Sequence, residues 1–257
     1  TYTVTVTGAN GCTATESITF TQDVTPPTAG ITNSSGTTVL NCNVTSINVT
    51  ATGGVTYSWS GGSTPGTAAN TLISSGTYTV TVTGSNGCTD TESITIIETD
   101  PLVASSTYTD ILCNGGTSTV TVSATGGREP YSGTGNHTVS AGAYSFTVTD
   151  ADGCTSVTTG NIIEPPVLTS SVTAQVNQMC ATTGSATVSG NGGTPTYTYA
   201  WPATAGGVSG NSASSLTAGT YDVTIADNNG CSVVQTVNII DEGAIAATAT
   251  VQDNVLC

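Results

Sequence analysis

Eight cysteines are the residues of this chain best equipped for chemistry: Cys12, Cys42, Cys88, Cys113, Cys154, Cys180, Cys231 and Cys257. None form a C-x-x-C pair, and His137 is the one histidine, so zinc lacks a donor set and disulfide formation is the chemistry they point to. Disulfides persist in an oxidising place, such as a periplasm, a cell surface or the medium. Four of the cysteines close one recurring motif: Thr1–Cys12 (TYTVTVTGANGC), Gly76–Cys88 (GTYTVTVTGSNGC), Gly142–Cys154 (GAYSFTVTDADGC) and Gly219–Cys231 (GTYDVTIADNNGC). The other four each follow the first strand pattern of a unit.

The elements that must position these cysteines are strands. In the second copy, Tyr78, Val80 and Val82 alternate with Thr79, Thr81 and Thr83, so one face is apolar and the other hydroxylated. Gly84-Ser85-Asn86-Gly87 then turns the chain, because Asn and Gly accept the positive φ of a tight hairpin. No window carries helical periodicity with a cap. Thr, Val, Tyr and Ile supply strands, and Gly, Asn, Asp and Ser supply turns.

A motif recurring in this way makes a repeat protein. The predicted organisation is a C-terminal hairpin of an incomplete repeat at 1–26, complete repeats at 27–101, 102–166 and 167–242, and the first strand of a further repeat at 243–257. Pro26-Pro27, Pro101 and Pro165-Pro166 mark the junctions, since proline cannot donate to a central ladder. The pattern predicts an all-β fold: a tandem array of small Ig-like β-sandwich repeats, six or seven strands each. Tyr78, Tyr144 and Tyr221 stand where such a fold places a tyrosine corner, or are simply core aromatics. Beginning within a strand pattern and ending at a cysteine, the sequence is expected to be an interior segment of a longer chain.

Two disulfide patterns fit this plan. Within repeats the bonds are Cys42–Cys88, Cys113–Cys154 and Cys180–Cys231. Across junctions they are Cys12–Cys42, Cys88–Cys113, Cys154–Cys180 and Cys231–Cys257. Loop entropy separates the two by only about 0.5 kcal/mol. Four strands between the half-cystines of a repeat bring them to one end, whereas five send them to opposite ends. The short repeat has room for four, which favours the within-repeat pattern.

Charge narrows the partners. The chain has 16 acidic residues against a single basic one, Arg128, and a net charge of −15. Nucleic acid and anionic membranes need clustered basic residues and are excluded as partners. Without lysine there are no Lys–Asn isopeptide cross-links, and trypsin has one site. No run approaches a membrane helix, so no membrane insertion is expected in this segment. Acidic residues gather at the junctions and adjacent turns. Asp100, Asp150, Asp152, Glu164, Asp227 and Asp241 are therefore candidate calcium ligands, set against the turn-forming role of Asp. No other cofactor is expected. Tyr197, Tyr199 and Trp201 share one strand face, as do Tyr57 and Trp59. Core packing explains both sets, while Trp59 and Trp201, if exposed, would make a glycan platform. His137 has no nucleophile or second base at a telling spacing, so catalysis is not expected. Asn33, Asn43, Asn48 and Asn136 open N-x-Ser/Thr sequons, which matter only in a eukaryotic secreted chain.

Residues 168–242 resemble the SprB-type repeats of large surface adhesins from gliding Bacteroidota. The resemblance rests on Cys180, Gly184-Ser185-Ala186-Thr187-Val188, Gly192-Gly193-Thr194-Pro195, Tyr197-Thr198-Tyr199-Ala200-Trp201, Leu216–Tyr221 and Asp227-Asn228-Asn229-Gly230-Cys231. Residues 102–166 are similar through Cys113-Asn114-Gly115-Gly116, Gly126-Gly127, Pro130-Tyr131 and Thr149–Cys154, but lack the Trp. Residues 27–101 are a related variant. The resemblance implies a long, secreted cell-surface protein exported by the type IX route. In it this segment would be a disulfide-stapled extended stalk for adhesion or gliding. Its partners would be neighbouring repeats and like chains in a filament. A glycan-binding module and the stalk of a secreted enzyme are the alternatives.

Overall fold

A computed structural model of the chain describes residues 1–180 and 182–243. The expected strand at 243–257, with Cys257, lies outside them apart from Gly243. Among the described residues every regular element is a strand except one 3-10 turn, Ala203–Ala205.

The chain opens on a hairpin of β1 (Tyr2–Thr7) and β2 (Thr13–Ile18), with Tyr2 opposite Ile18. The first sandwich comprises β3 (Gly30–Asn33), β4 (Val39–Leu40), β5 (Ile47–Thr52), β6 (Thr56–Trp59), β7 (Ala69–Leu72), β8 (Gly76–Thr83) and β9 (Thr89–Glu98). One sheet has the order β3-β5-β7 and the other β4-β9-β8-β6. The alternation read in the sequence becomes burial here. Ile47, Val49, Leu72, Val80, Val82 and Ile96 are each at most 1% exposed, and Trp59 joins them. The hydroxyl face of β8 stays at the surface, where Thr77 bonds Thr95 and Thr79 bonds Ser93 across the hairpin.

The middle repeat comprises β10 (Val103–Tyr108), β11 (Ser118–Thr125), β12 (Gly135–Val139), β13 (Gly142–Thr149) and β14 (Thr155–Ile162), in sheets β10-β11-β12 and β13-β14. It has five strands, below the expected six or seven. Its counterpart of β6 shrinks to a single bridge, Ser132 to Thr149, beside Pro130, whose missing N–H cannot extend a ladder.

The third sandwich comprises β15 (Thr169–Val176), β16 (Gly184–Asn191), β17 (Thr198–Ala200), β18 (Ser212–Leu216), β19 (Gly219–Ala226) and β20 (Ser232–Ile239). Its sheets are β15-β16-β18 and β17-β19-β20. Val188, Trp201, Leu216, Tyr221, Val223, Ile225, Val237 and Ile239 form its core. The fold is thus a tandem array of Ig-like β-sandwiches.

By contact density the chain forms two compact units, and these cut through the middle repeat. The first holds residues 1–103 together with 124–132 and 148–156, which are the Gly-Gly turn and the hairpin tip of the middle repeat. The second holds 104–123, 133–147 and 157 onward. The first unit therefore contains the junctions at Pro26-Pro27 and at Pro101, and the second the junction at Pro165-Pro166.

Candidate functional site

The junctions carry the chain's covalent chemistry. Cys42 is bonded to Cys154, and Cys113 to Cys231. Neither expected pattern is realised: Cys42 does not pair with Cys88 or Cys12, Cys113 does not pair with Cys154 or Cys88, and Cys231 does not pair with Cys180. Cys12, Cys88 and Cys180 are free thiols. The rule is instead that the loop cysteine of one repeat joins the hairpin cysteine of the next.

Strand direction explains this correction. In the first sandwich β4 runs parallel to β9, with Leu40 opposite Glu98. Cys42 therefore lies past the end of β9, while Cys88 precedes its start. The 10 residues of β9 hold the two about 30 Å apart. The odd traversal that sequence counting missed is the segment 60–68. It is not a strand, yet β7 still pairs antiparallel to β5 and β8 antiparallel to β6. The third sandwich repeats the geometry, with Gln178 bridged in parallel to Asp241 beside Cys180, and Cys231 just before β20. A loop cysteine is thus delivered to the exit of its own repeat, where the entry face of the next repeat begins.

That entry face is built from two Gly residues, a Tyr and the hairpin. Gly126 (φ 70°) and Gly192 (φ 79°) adopt left-handed backbone, and a Cβ on either would collide with the linker carbonyl of Pro101 or Val167. Gly127 N–H donates to Asp100 O at 2.7 Å, and Gly193 N–H to Pro166 O at 2.9 Å. Tyr131 and Tyr197 close the turns by donating to Gly126 O and Gly192 O, as Tyr57 does to Gly54 O. This clamp on the incoming chain is the functional feature that sequence reading missed. Its signal was the Gly-Gly pair with a Tyr a few residues on.

The hairpins are organised by a buried carboxylate. Asp150 is 6% exposed and accepts N–H groups of Arg128, Asp152 and Cys154. Burial pushes its pKa up, but the N–H groups of Arg128, Cys154, Asp152 and Gly153 together hold it below the ordinary Asp value. Asp227 is 5% exposed and accepts from Thr194, Asn229 and Cys231. The Thr194 N–H leads in lowering its pKa, with burial opposing. Each carboxylate ties the Gly-Gly segment to the half-cystine of the hairpin.

Around the disulfides the two repeats also exchange hydrogen bonds. Asn41 Nδ2 donates to Asp152 Oδ2 at 3.0 Å and Asn43 Nδ2 to Asp152 O at 2.6 Å, while Arg128 pairs with Asp152 at 3.0 Å. At the second junction Asn229 Nδ2 donates across to Leu112 O, while Asn114 Nδ2 and Gly115 N–H hold the middle repeat's own exit linker through Pro165 O and Glu164 Oε2.

The candidate calcium ligands are engaged in this architecture. Asp150, Asp152, Asp227 and Glu164 accept the hydrogen bonds just described, and Asp241 accepts from Gly243 N–H. Asp100 lines the groove beside Cys42 and Cys154. Among the described residues no three His, Cys, Asp or Glu side chains stand together as a metal site. The glycan reading of the tryptophans is corrected. Trp59 and Trp201 are each 5% exposed, and their indole N–H groups donate inside to Thr67 O and Gly210 O. Tyr78 and Tyr221 donate to the carbonyls of Ser74 and Thr217, four residues upstream, as a tyrosine corner does. Tyr144 instead bonds the Ser106 hydroxyl. The His137 ring stacks on Phe146 at 4.2 Å, and its buried Nε2 has no hydrogen-bond partner. No described helix is long and apolar enough to cross a membrane.

The sequence matches no protein-family model and no curated protein. Solved structures similar to the chain include immunoglobulin domains 1–5 of Sidekick-1 (TM-score 0.34, 12% identity, 93% of this chain and 66% of that one). A structure of a bacterial ice-binding adhesin gives a TM-score of 0.39 at 15% identity over 86% of this chain and all of that one. The N-terminal eight Ig domains of Down Syndrome Cell Adhesion Molecule give 0.34 at 12% identity, over 91% of this chain and 39% of that one.

Proposed function

We propose that this chain is a load-bearing segment of a long extracellular surface fibre, a stalk in adhesion or gliding rather than a catalyst. The observation that carries the reading is the disulfide register. A bond within a repeat would stabilise that repeat alone, whereas these bonds join successive repeats and prevent them from separating under tension. The disulfides favour an oxidising compartment. The resemblance to SprB-type repeats supports a Bacteroidota cell surface and export by the type IX route. A single basic residue fits a segment that must survive proteases outside the cell. Neighbouring repeats are its immediate partners, and like chains in a filament are further ones. The stalk of a secreted enzyme would use the same mechanics.

Immunogold labelling of intact cells of the source organism, with and without the gene, tests this reading. Filament-like labelling at the surface, and loss of attachment or gliding on deletion, are expected. Labelling confined to the periplasm, or unchanged surface behaviour on deletion, would contradict it.

A further inference from the structure

The hairpin at Cys88 is a third copy of the docking face, and its groove lacks the wall that the other two have. Gly84 N–H bonds Cys88 O at 2.9 Å and Gly87 N–H bonds Gly84 O at 3.0 Å. Asp150 with Cys154, and Asp227 with Cys231, make the same pair of bonds. Asn86 occupies the position of Asp152 and Asn229, two residues before the half-cystine, and donates to Thr25 O of the incoming linker. The groove there is lined by Asp23, Thr25, Pro27, the Gly53-Gly54 pair and Asn86. The grooves at Cys154 and Cys231 likewise have a wall from the linker and one from the second glycine of the pair, Gly127 and Gly193. Each has in addition a wall from the loop beside its partner cysteine: Asn41 and Cys42 in one, Ile111 and Leu112 in the other. At Cys88 no described residue supplies that wall, and the thiol is free.

A second, independent surface points the same way. Tyr2, Val4 and Val6 are 61–70% exposed. The same residue pattern in β8, Tyr78, Val80 and Val82, lies half-buried to fully buried under the β3-β5-β7 sheet. The apolar face of the β1–β2 hairpin thus presents a half-sandwich without its second sheet.

We propose that Cys88 is a docking half-cystine for the β-sandwich repeat of the same polypeptide to which the β1–β2 hairpin belongs. That repeat brings a Cys-Asn loop into the open groove and the missing sheet onto β1–β2. This rests on the stalk reading and extends its lacing by one step. Cys42-Asn43 and Cys113-Asn114 define the loop chemistry: Asn43 donates across its junction to Asp152 O, and Asn114 donates to Pro165 O in the linker that leads into the next repeat. Cys180 of a second copy is followed by Ala181 and lacks that donor. Bond formation removes two protons and two electrons from the two thiols. The electrons pass by thiol–disulfide exchange to a disulfide oxidant of the compartment, which is reduced to its dithiol.

The test is non-reducing peptic digestion and mass spectrometry of the protein isolated from its source, alkylated before lysis, beside the isolated 257-residue chain. In the native protein the Cys88 peptide is expected to be linked to a Cys-Asn peptide of the same polypeptide. In the isolated chain Cys88 is expected to alkylate fully, while Cys154 and Cys231 are labelled only after reduction. Cys88 alkylated in the native protein, or linked to Cys12, Cys180 or another Cys88, would overturn the proposal. Those results would leave the surface labelling and the two junction disulfides untouched, so the stalk reading stands or falls separately.

Discussion

Replacing Cys113 and Cys231 together by serine should lengthen the mechanically unravelled chain by far less than the loop they close. The two bonds interleave, because Cys113 lies between Cys42 and Cys154, and Cys154 between Cys113 and Cys231. With both intact, the shortest covalent path between the chain ends crosses from Cys42 to Cys154. It then runs back to Cys113 and crosses to Cys231. That path hides about 148 residues, or ~520 Å at about 3.5 Å per residue. The Cys42–Cys154 bond alone hides its separation of 112 residues. The double replacement therefore releases only about 36 residues, ~130 Å. Single-molecule stretching between tethered ends reads this directly, and reduction of the wild-type chain should add the full ~520 Å. If the replacement released the whole span of 118 residues, ~410 Å, the bonds would be independent loops and the interleaved register would be wrong.

Three further outcomes follow from the junctions and cores. Gly192→Ala places a Cβ against Val167 O in left-handed backbone, and should cost about 1–3 kcal/mol, read as a lowered denaturation midpoint, whereas Gly210→Ala, with open space around it, should be near neutral. Trp201→Ala should destabilise the third sandwich by about 3–5 kcal/mol in equilibrium unfolding, since the ring is core and its N–H is satisfied inside. Asp150 and Asp227 have folded pKa values below their ordinary 3.8, so the stability they confer is complete above that value and is lost as pH falls through the lower folded values. An acid titration followed by near-UV circular dichroism should show tertiary loss in that acidic window, and Asp227→Asn should flatten its contribution.

Much of the fold is legible because period-two alternation is a local property. The burial of Val80 and Val82 opposite the half-exposed Thr79 and Thr81 needs only strand geometry. The Asx-Gly hairpins and the proline junctions are local too. The short repeat loses a strand at Pro130, which counting alone made too generous. Disulfide register is of another kind. It depends on which end of a sandwich each loop reaches, and hence on the parallel pairing of β4 with β9. Two residues, Val39 and Leu40, make that pairing and leave no periodic trace. The unpaired traversal at 60–68 likewise carries no strand signal, yet it decides that Cys42 and Cys88 stand at opposite ends. The Gly-Gly clamp was visible as a turn, but its role depends on a linker carbonyl brought in from more than 20 residues away.

Loop cysteines bond forward to the hairpin of the next repeat. Peptic digestion of the non-reduced chain at acid pH, where exchange is suppressed, followed by mass spectrometry tests it most directly. One linked pair containing Cys42 and Cys154 and another containing Cys113 and Cys231 are expected, with Cys12, Cys88 and Cys180 unlinked to any of these four. Linked peptides joining Cys113 to Cys154, or Cys42 to Cys88, would contradict it.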